Sequence, residues 1–328
     1  MHSHGEAPRS NQGFVHQAMI YGSDQEFMDV ALPLIEEGLS AEQPTLVAVQ
    51  DRHVENLRAA LGGTPEGLTL HPVEDFYETS ARTRDKFARW AAEQTARGER
   101  GQLMGEPPWA LAHEAQVRDW ARHEAVLNVV FADLPVTFVC PYDARSLPEE
   151  VLAHARGTHP EVVDGEGVSR SDAYEDPLDF CRRLDSAIHP EHGDTAVELE
   201  FGLEDLSAVR RAVGSLAEEA GLCDQRTEEV VLAINEISTN AVIHGRPPST
   251  MRAWHGAGEI VIEVADAGEG IQDVLAGQLT PSAGGLGGRG LWLARLLCDA
   301  VEVRCDQGGC TVTVHVATVN GEPALKAV

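Results

Sequence analysis

From Val15 onward the chain alternates short apolar runs with amphipathic stretches, the pattern of strands separated by helices. Ala18-Met19-Ile20-Tyr21 reads as a strand. Ser23, followed three residues later by Glu26, forms a capping box that opens a helix, and Phe27, Val30, Ala31, Leu34 and Ile35 fall on one face of it. Pro33 lies inside that pattern and is expected to kink or shorten the helix, because it lacks an amide hydrogen and its ring crowds the preceding turn. Thr45–Val49 predicts a second strand, Val54–Leu61 a helix closed by Gly62-Gly63, and Leu68–Leu70 a weaker strand. A longer helix covers Arg84–Arg97, and Gly101–Met104 predicts another strand. After Pro107-Pro108 a helix runs to Val130, and Leu134–Cys140 is the most apolar strand of this half. Strands separated by helices pair in parallel through right-handed crossovers. Residues 13–165 are therefore expected to form an α/β domain, a mainly parallel sheet with helices on both faces.

Between His159 and Asp194 the periodicity fades and Gly, Asp, Glu, Ser and Pro accumulate, so residues 166–193 are expected to form a partly helical connector between two domains. The second half predicts a strand at Ala196–Phe201, helices at Leu206–Ala220 and Asp224–His244, and a strand at Ile260–Ala265. A glycine-rich loop follows, then a helix at Leu291–Cys298 and strands near Val301–Arg304 and Thr311–Val316. That is an α+β arrangement over residues 194–320, flanked by tails at 1–12, expected to be disordered, and 321–328.

The charge balance, 25 basic against 53 acidic side chains for a net −28, repels other polyanions. No basic cluster offsets it, since the only lysines are Lys86 and Lys326. Proteins, small molecules and metal-bound nucleotides are the expected partners, with no direct nucleic acid and no membrane. The N-terminus lacks a secretory pattern, and no run approaches the roughly 18 apolar residues a membrane span requires. The six cysteines form no CxxC pair, which suits reduced thiols in a cytoplasmic protein. Cys305 and Cys310 could meet across a hairpin; buried small hydrophobes are the favoured reading.

Three segments of the second half carry candidate chemistry. On one helix Glu236, Asn240 and His244 recur one turn apart, off the stripe formed by Val230, Val231, Ile234, Ile237 and Ala241. Alone, such a row is ordinary on a solvated helix. Asp266-Ala267-Gly268-Glu269-Gly270 follows an apolar strand, where glycines permit a tight turn and a flat ring can approach the backbone. Gly284-Gly285-Leu286-Gly287-Gly288-Arg289-Gly290 runs straight into an amphipathic helix, presenting backbone amides and a helix N-terminus to an anion. A floppy linker is the bland alternative.

The order and spacing of the three resemble the N, G1 and G2 boxes of the GHKL ATPase superfamily, and most of all its anti-sigma-factor serine kinase branch. That branch's first box reads Glu-x-x-x-Asn-Ala-x-x-His, as Glu236, Asn240, Ala241 and His244 do. The resemblance implies a two-layer α+β sandwich of the GHKL (Bergerat) type binding ATP and Mg²⁺. It implies Asn240 as the magnesium ligand, Glu236 as general base, and Asp266 as acceptor from the adenine amine. Gly268 and Gly270 would shape the adenine pocket, and Gly287, Gly288 and Gly290 would wrap the phosphates. Arg289 helps by charge or faces solvent, and Thr311 is the candidate for a late-strand threonine beside adenine. No P-loop and no protein-kinase signature is present.

In the first half, His16–Tyr21, Val47-Ala48-Val49, Val139–Asp143 and His159-Pro160 resemble the methanogen/methylotroph sensory (MEDS) domain, a small-molecule sensor. His16, Tyr21, Cys140 and Tyr142 are the candidates for a sensory pocket, each with a structural role as the alternative, and no metal is expected there. The leading expectation is a sensor-coupled anti-sigma factor and serine/threonine kinase that sequesters a sigma factor or phosphorylates an anti-anti-sigma protein. The resemblance also implies a homodimer. A non-catalytic nucleotide-gated regulator and a histidine-kinase-like relic are the alternatives.

Overall fold

A computed structural model describes residues 13–109, 113–187, 195–256, 258–281, 289–306 and 308–318. Its first half is one seven-stranded sheet in the order β3-β2-β4-β5-β1-β6-β7. The strands are β1 (Val15–Tyr21), β2 (Thr45–Val49), β3 (Leu68–Pro72), β4 (Gly101–Gly105), β5 (Val136–Asp143), β6 (Glu161–Asp164) and β7 (Gly167–Arg170). All pair in parallel except the edge hairpin β6–β7, which is antiparallel.

Alternation along the strands sorts side chains into two cores. Met19, Tyr21, Val47, Val49 and Val139 meet α1 (Asp24–Ser40) and α2 (Asp51–Ala60) on one face. Ala18, Leu46, Ala48, Phe138, Cys140 and Tyr142 lie on the other. There they meet the short α3 (Val73–Phe76), α4 (Ser80–Ala96), α5 (Glu114–Val130), α6 (Glu149–Thr158) and α7 (Pro177–Ser186). This is the expected parallel sheet with helices on both faces.

Two expectations need correction. Helix α1 runs unbroken through Pro33 over 17 residues. Pro33 is exposed, so the carbonyl deprived of a partner faces water instead of the core. The stretch read as a partly helical connector is instead part of the first half: β7 extends the first sheet, and its helix α7, capped by Asp176, packs Phe180, Cys181 and Leu184 into the first-half core.

The second half is a five-stranded antiparallel sheet ordered β11-β12-β10-β9-β8. Its strands are β8 (Val197–Phe201), β9 (Ser249–His255), β10 (Glu259–Asp266), β11 (Ala300–Asp306) and β12 (Gly309–Ala317). Helices α8 (Leu206–Glu219), α9 (Asp224–His244) and α10 (Arg289–Leu297) share one apolar core with this sheet, built on Val213, Ile234, Ile237, Ile262, Ala294 and Val314.

The halves touch through charged groups. Arg118 on α5 pairs with Glu302 on β11 at 2.6 Å, and Arg295 on α10 reaches Asp119 on α5 at 3.4 Å. Arg84 on α4 donates to the Gln278 carbonyl at 2.8 Å. Among the described residues, no helix is long and apolar enough to cross a membrane.

Candidate functional site

Helix α9 places Asn240 and His244 on one face because i and i+4 positions stack. Strand β10 ends at Asp266, directly beside the C-terminal end of that helix. Close approach there requires glycine: a Cβ on Gly245 would collide with the Asp266 carboxylate. Gly268 donates its amide to Asp266 Oδ1 at 2.7 Å, fixing the carboxylate and leaving its second oxygen available.

Asn240, His244 and Asp266 line a single cavity of about 250 Å³ with Ile237, Val264, Gly270 and Leu291. Its walls are apolar and its polar groups few, the composition of a small-molecule site. Glu236 lies one turn before Asn240 and is half-buried. Gly290, the second residue of α10, seals this end: a Cβ there would sit 2.6 Å from Asn240 Nδ2 and 3.3 Å from Glu236 Cβ. The amino end of α10 therefore abuts the face bearing Glu236 and Asn240. Arg289 is exposed. Gly287 and Gly288 lie outside the described residues.

Thr311 departs from expectation. In β12 it alternates with Cys310 and Val312, and those two line the cavity while Thr311 pairs with Ala265. The residue opposite Asp266 in the β10–β12 register is Cys310, so the position expected for threonine holds a cysteine. Cys310 is joined to Cys305 in a disulfide, correcting the reading of both as buried thiols. They face each other in the β11–β12 register, and Ile271 donates its amide to Cys305 Sγ at 3.2 Å.

The expected sensory residues do not form one pocket. Tyr21 is on the α1/α2 face, whereas His16, Cys140 and Tyr142 belong to the α5/α6 face, because their strand positions differ in parity. Tyr21 instead joins a cluster at the carboxyl ends of the strands, donating to Glu106 Oε1 at 2.9 Å. Gln50 donates to the same carboxylate through its side chain at 2.6 Å and its backbone at 3.1 Å. Burial drives Glu106 up to about 7 and His53, 3.2 Å from Tyr21 Oη, down to about 4.

On the opposite face, His16 Nε2 and His159 Nε2 approach Glu124 Oε2 at 3.3 and 3.5 Å. Cys140 Sγ lies 3.5 Å from both His16 Nε2 and Glu124 Oε2. All four residues are buried, and burial raises Glu124 to about 7 and holds both imidazoles neutral, near 3. Tyr142 Oη and Trp109 Nε1, 5.7 Å apart between ring centroids, are buried without a hydrogen-bond partner on the same side. Sequence reasoning missed Glu106, Glu124 and His53.

The first half is a mainly parallel α/β sheet, and the second is an antiparallel sheet with a helix-borne Asn and a strand-end Asp around an apolar cavity. Residues 15–160 match the family model of MEDS, the methanogen/methylotroph, DcmR sensory domain, and residues 199–316 match that of the histidine kinase-like ATPase domain. The chain thus carries a MEDS domain followed by a histidine kinase-like ATPase domain, and the antiparallel sheet with helices in its second half is consistent with a GHKL-type ATPase domain. No curated protein matched in a sequence comparison.

Among solved structures, similarity extends to the RsbU and RsbW domains of a Mycobacterium tuberculosis protein, at 20% identity and a TM-score of 0.29. That match covers 37% of this chain and 32% of the other, so this chain spans about a third of that relative's length. The mycobacterial sensor histidine kinase MprB matches at 13% identity and TM-score 0.27, covering 37% of this chain and 98% of that one. The histidine kinase domain of the Erythrobacter litoralis EL346 blue-light activated kinase matches at 17% identity and TM-score 0.27, covering 55% and 85%.

Proposed function

We propose that the chain is a sensor-coupled anti-sigma factor and serine/threonine kinase, whose C-terminal domain binds ATP with Mg²⁺. The observation that carries this reading is the convergence of Asn240 and Asp266 on one cavity, with Glu236 one turn away. The residues present fit the nucleotide: the cavity is apolar where a base stacks, Asp266 offers an acceptor at its rim, and the glycine at 290 lets the amino end of α10 close against Asn240. The bound nucleotide would supply an electrophilic phosphoryl group.

The chain's own residues do the rest. The Asn240 amide oxygen would hold the metal, a hard cation that prefers oxygen ligands. Asp266 accepts from the adenine amine while Gly268 fixes its orientation. Glu236 takes the proton from an incoming serine or threonine hydroxyl, which a pure nucleotide clamp would not require. Gly270 would border the base, and Gly287 and Gly288, outside the described residues, are the glycines the resemblance assigns to the phosphates. The acidic surface, net −28, suits docking onto basic protein partners such as a sigma factor. The first domain reaches the site through α5 and α10, which share the Asp119–Arg295 contact. A homodimer completes the proposal.

Titration calorimetry with Mg-ATP tests the site, and phosphate transfer to a serine-bearing anti-anti-sigma protein tests the activity. ATP binding together with acid-stable phosphoserine on the partner supports the kinase. Acid-labile phosphate on the chain itself would instead make it a histidine-kinase relative, and binding without transfer a nucleotide-gated regulator.

A further inference from the structure

We propose that His16, Glu124, Cys140 and His159 form a binding site for a divalent late first-row metal ion, with zinc the best-suited occupant, inside the first domain. Four potential ligand atoms from four separate elements converge there: His16 from β1, Glu124 from α5, Cys140 from β5, and His159 from the α6–β6 junction. All lie within 4.8 Å of one another. In a tetrahedral site with metal–ligand bonds of about 2.0–2.3 Å, neighbouring ligand atoms are separated by roughly 3.3–3.8 Å. The separations of 3.3 Å (His16–Glu124), 3.5 Å (His159–Glu124), 3.5 Å (Cys140–His16) and 3.5 Å (Cys140–Glu124) are those edges.

The outer groups point the same way. His16 Nδ1 lies 3.2 Å from Asn128 Oδ1. The Asn128 amide nitrogen is committed to the Glu124, Ala125 and Thr158 carbonyls, so its oxygen faces the ring and must accept. His159 Nδ1 lies 2.8 Å from the Ala155 carbonyl, which can only accept. Both imidazoles thus spend their proton on an outer acceptor and turn a bare Nε2 lone pair inward, the arrangement that orients metal-bound histidines. His159 Nε2 has no hydrogen-bond partner although the residue is fully buried. Two neutral imidazoles, one thiolate and one carboxylate present two negative charges, which a divalent ion cancels. A hydrogen-bonded core alone needs no such charge balance. On binding, the Cys140 thiol proton and any proton on Glu124 pass to solvent as the ion takes their place. Mixed nitrogen, sulfur and oxygen donors select against magnesium and calcium and for zinc and its neighbours.

The full chain, purified without chelator, is expected to carry about one zinc per molecule by elemental analysis, as a single four-ligand site dictates. Unfolding with chelator and refolding with Co²⁺ alone is expected to produce the intense visible bands of a tetrahedral site and a near-ultraviolet thiolate-to-cobalt band. Cys140→Ser abolishes the thiolate band, and Asn128→Ala, which touches no ligand atom, weakens zinc binding by about 10–100-fold. Circular dichroism confirms that each variant folds. Refolded wild-type protein that holds neither zinc nor cobalt overturns the site, as does a cobalt spectrum unchanged by Cys140→Ser. Should Cys140→Ser not fold, the wild-type cobalt spectrum decides alone, since its thiolate band either appears or does not.

Discussion

The two halves keep their reactive groups in opposite ways. In the first, His16, Glu124, Cys140 and His159 sit inside a core closed by helices on both sheet faces, so every polar atom must be satisfied by protein or by a bound species. In the second, Glu236, Asn240 and Asp266 stand half-exposed where a helix end meets a strand end. The first arrangement couples ligand to fold; the second lets ligands exchange while the core stays intact. A sensor paired with a nucleotide site gains from that division, because a change in the interior must move elements, whereas a change at the rim need only move a loop.

The sharpest break in this comparison comes from chemistry at the rim. Glu236→Ala is expected to lower phosphate transfer by about 100- to 10,000-fold, the range general-base removal produces, with ATP affinity nearly unchanged. Because Glu236 is half-buried and has no part in the apolar core, denaturation midpoints should stay put. A transfer rate within a few-fold of wild type would remove the base from Glu236.

Next in size is the contact that joins the halves. Asp119 on α5 accepts from Arg295, which is 5% exposed and whose charge burial has pushed its pKa down to about 10. Asp119→Ala leaves that guanidinium one hydrogen bond, to the Val301 carbonyl, with Asp185 the remaining carboxylate acting on it. Stranding a buried charge costs about 3–5 kcal/mol, so chemical denaturation should show that loss, with the two halves unfolding in separate steps. A loss below about 1 kcal/mol would mean that this pair does not hold the halves together.

The same interface carries a pH signature. His315 on β12 lies 3.1 Å from Glu259 and 3.5 Å from Glu302, and Glu302 in turn holds Arg118 of the first half. Against the desolvation of burial, these carboxylates raise His315 from 6.5 to about 9. A raised folded-state value means the unfolded chain binds the proton less tightly, so this stabilisation is complete below pH 6.5 and is lost as pH rises through about 9. The loss is on the order of 3 kcal/mol. Urea titrations between neutral pH and pH 10 should reveal it, and His315→Gln should flatten that window while being less stable at neutral pH.

Legibility in the sequence followed the same division. Helix α9 was read with its ends at Asp224 and His244, because its apolar stripe is unbroken and Gly245 closes it. The rim site was readable because two boxes are local strings whose order survives without knowledge of the fold. Strand β7 was not, since all four of its residues are exposed and no alternation marks it. Strand β9 has no counterpart in the sequence reading; it follows directly on Arg246-Pro247-Pro248, residues that mark a break rather than a strand. Glu124 sits in the polar string Arg122-His123-Glu124, and it is buried because it turns inward to the sheet, against His16 of β1 and Cys140 of β5. His16 and Cys140 carried no spacing signal, as only strand pairing brings them together. Thr311 was read without its parity, which the β10–β12 register alone supplies.

The smallest expected effect separates recognition from stability at the rim itself. Asp266 Oδ1 is occupied by the Gly268 amide, and an asparagine oxygen can keep that bond. Asp266→Asn therefore preserves the turn and alters only the second position, from a charged acceptor to an amide donor. An adenine amine then meets a donor and loses a charge-assisted bond of about 1.5–3 kcal/mol, so ATP affinity should fall roughly 10- to 100-fold. Guanine carries a carbonyl at the corresponding ring position, which the new amide can serve, so the preference for ATP over GTP should narrow by more than the loss in ATP affinity alone. Calorimetry with both nucleotides on wild type and variant measures this directly. An unchanged ATP-to-GTP ratio would show that the base is read elsewhere in the cavity, with Cys310 and its neighbours on β12 the next positions to alter.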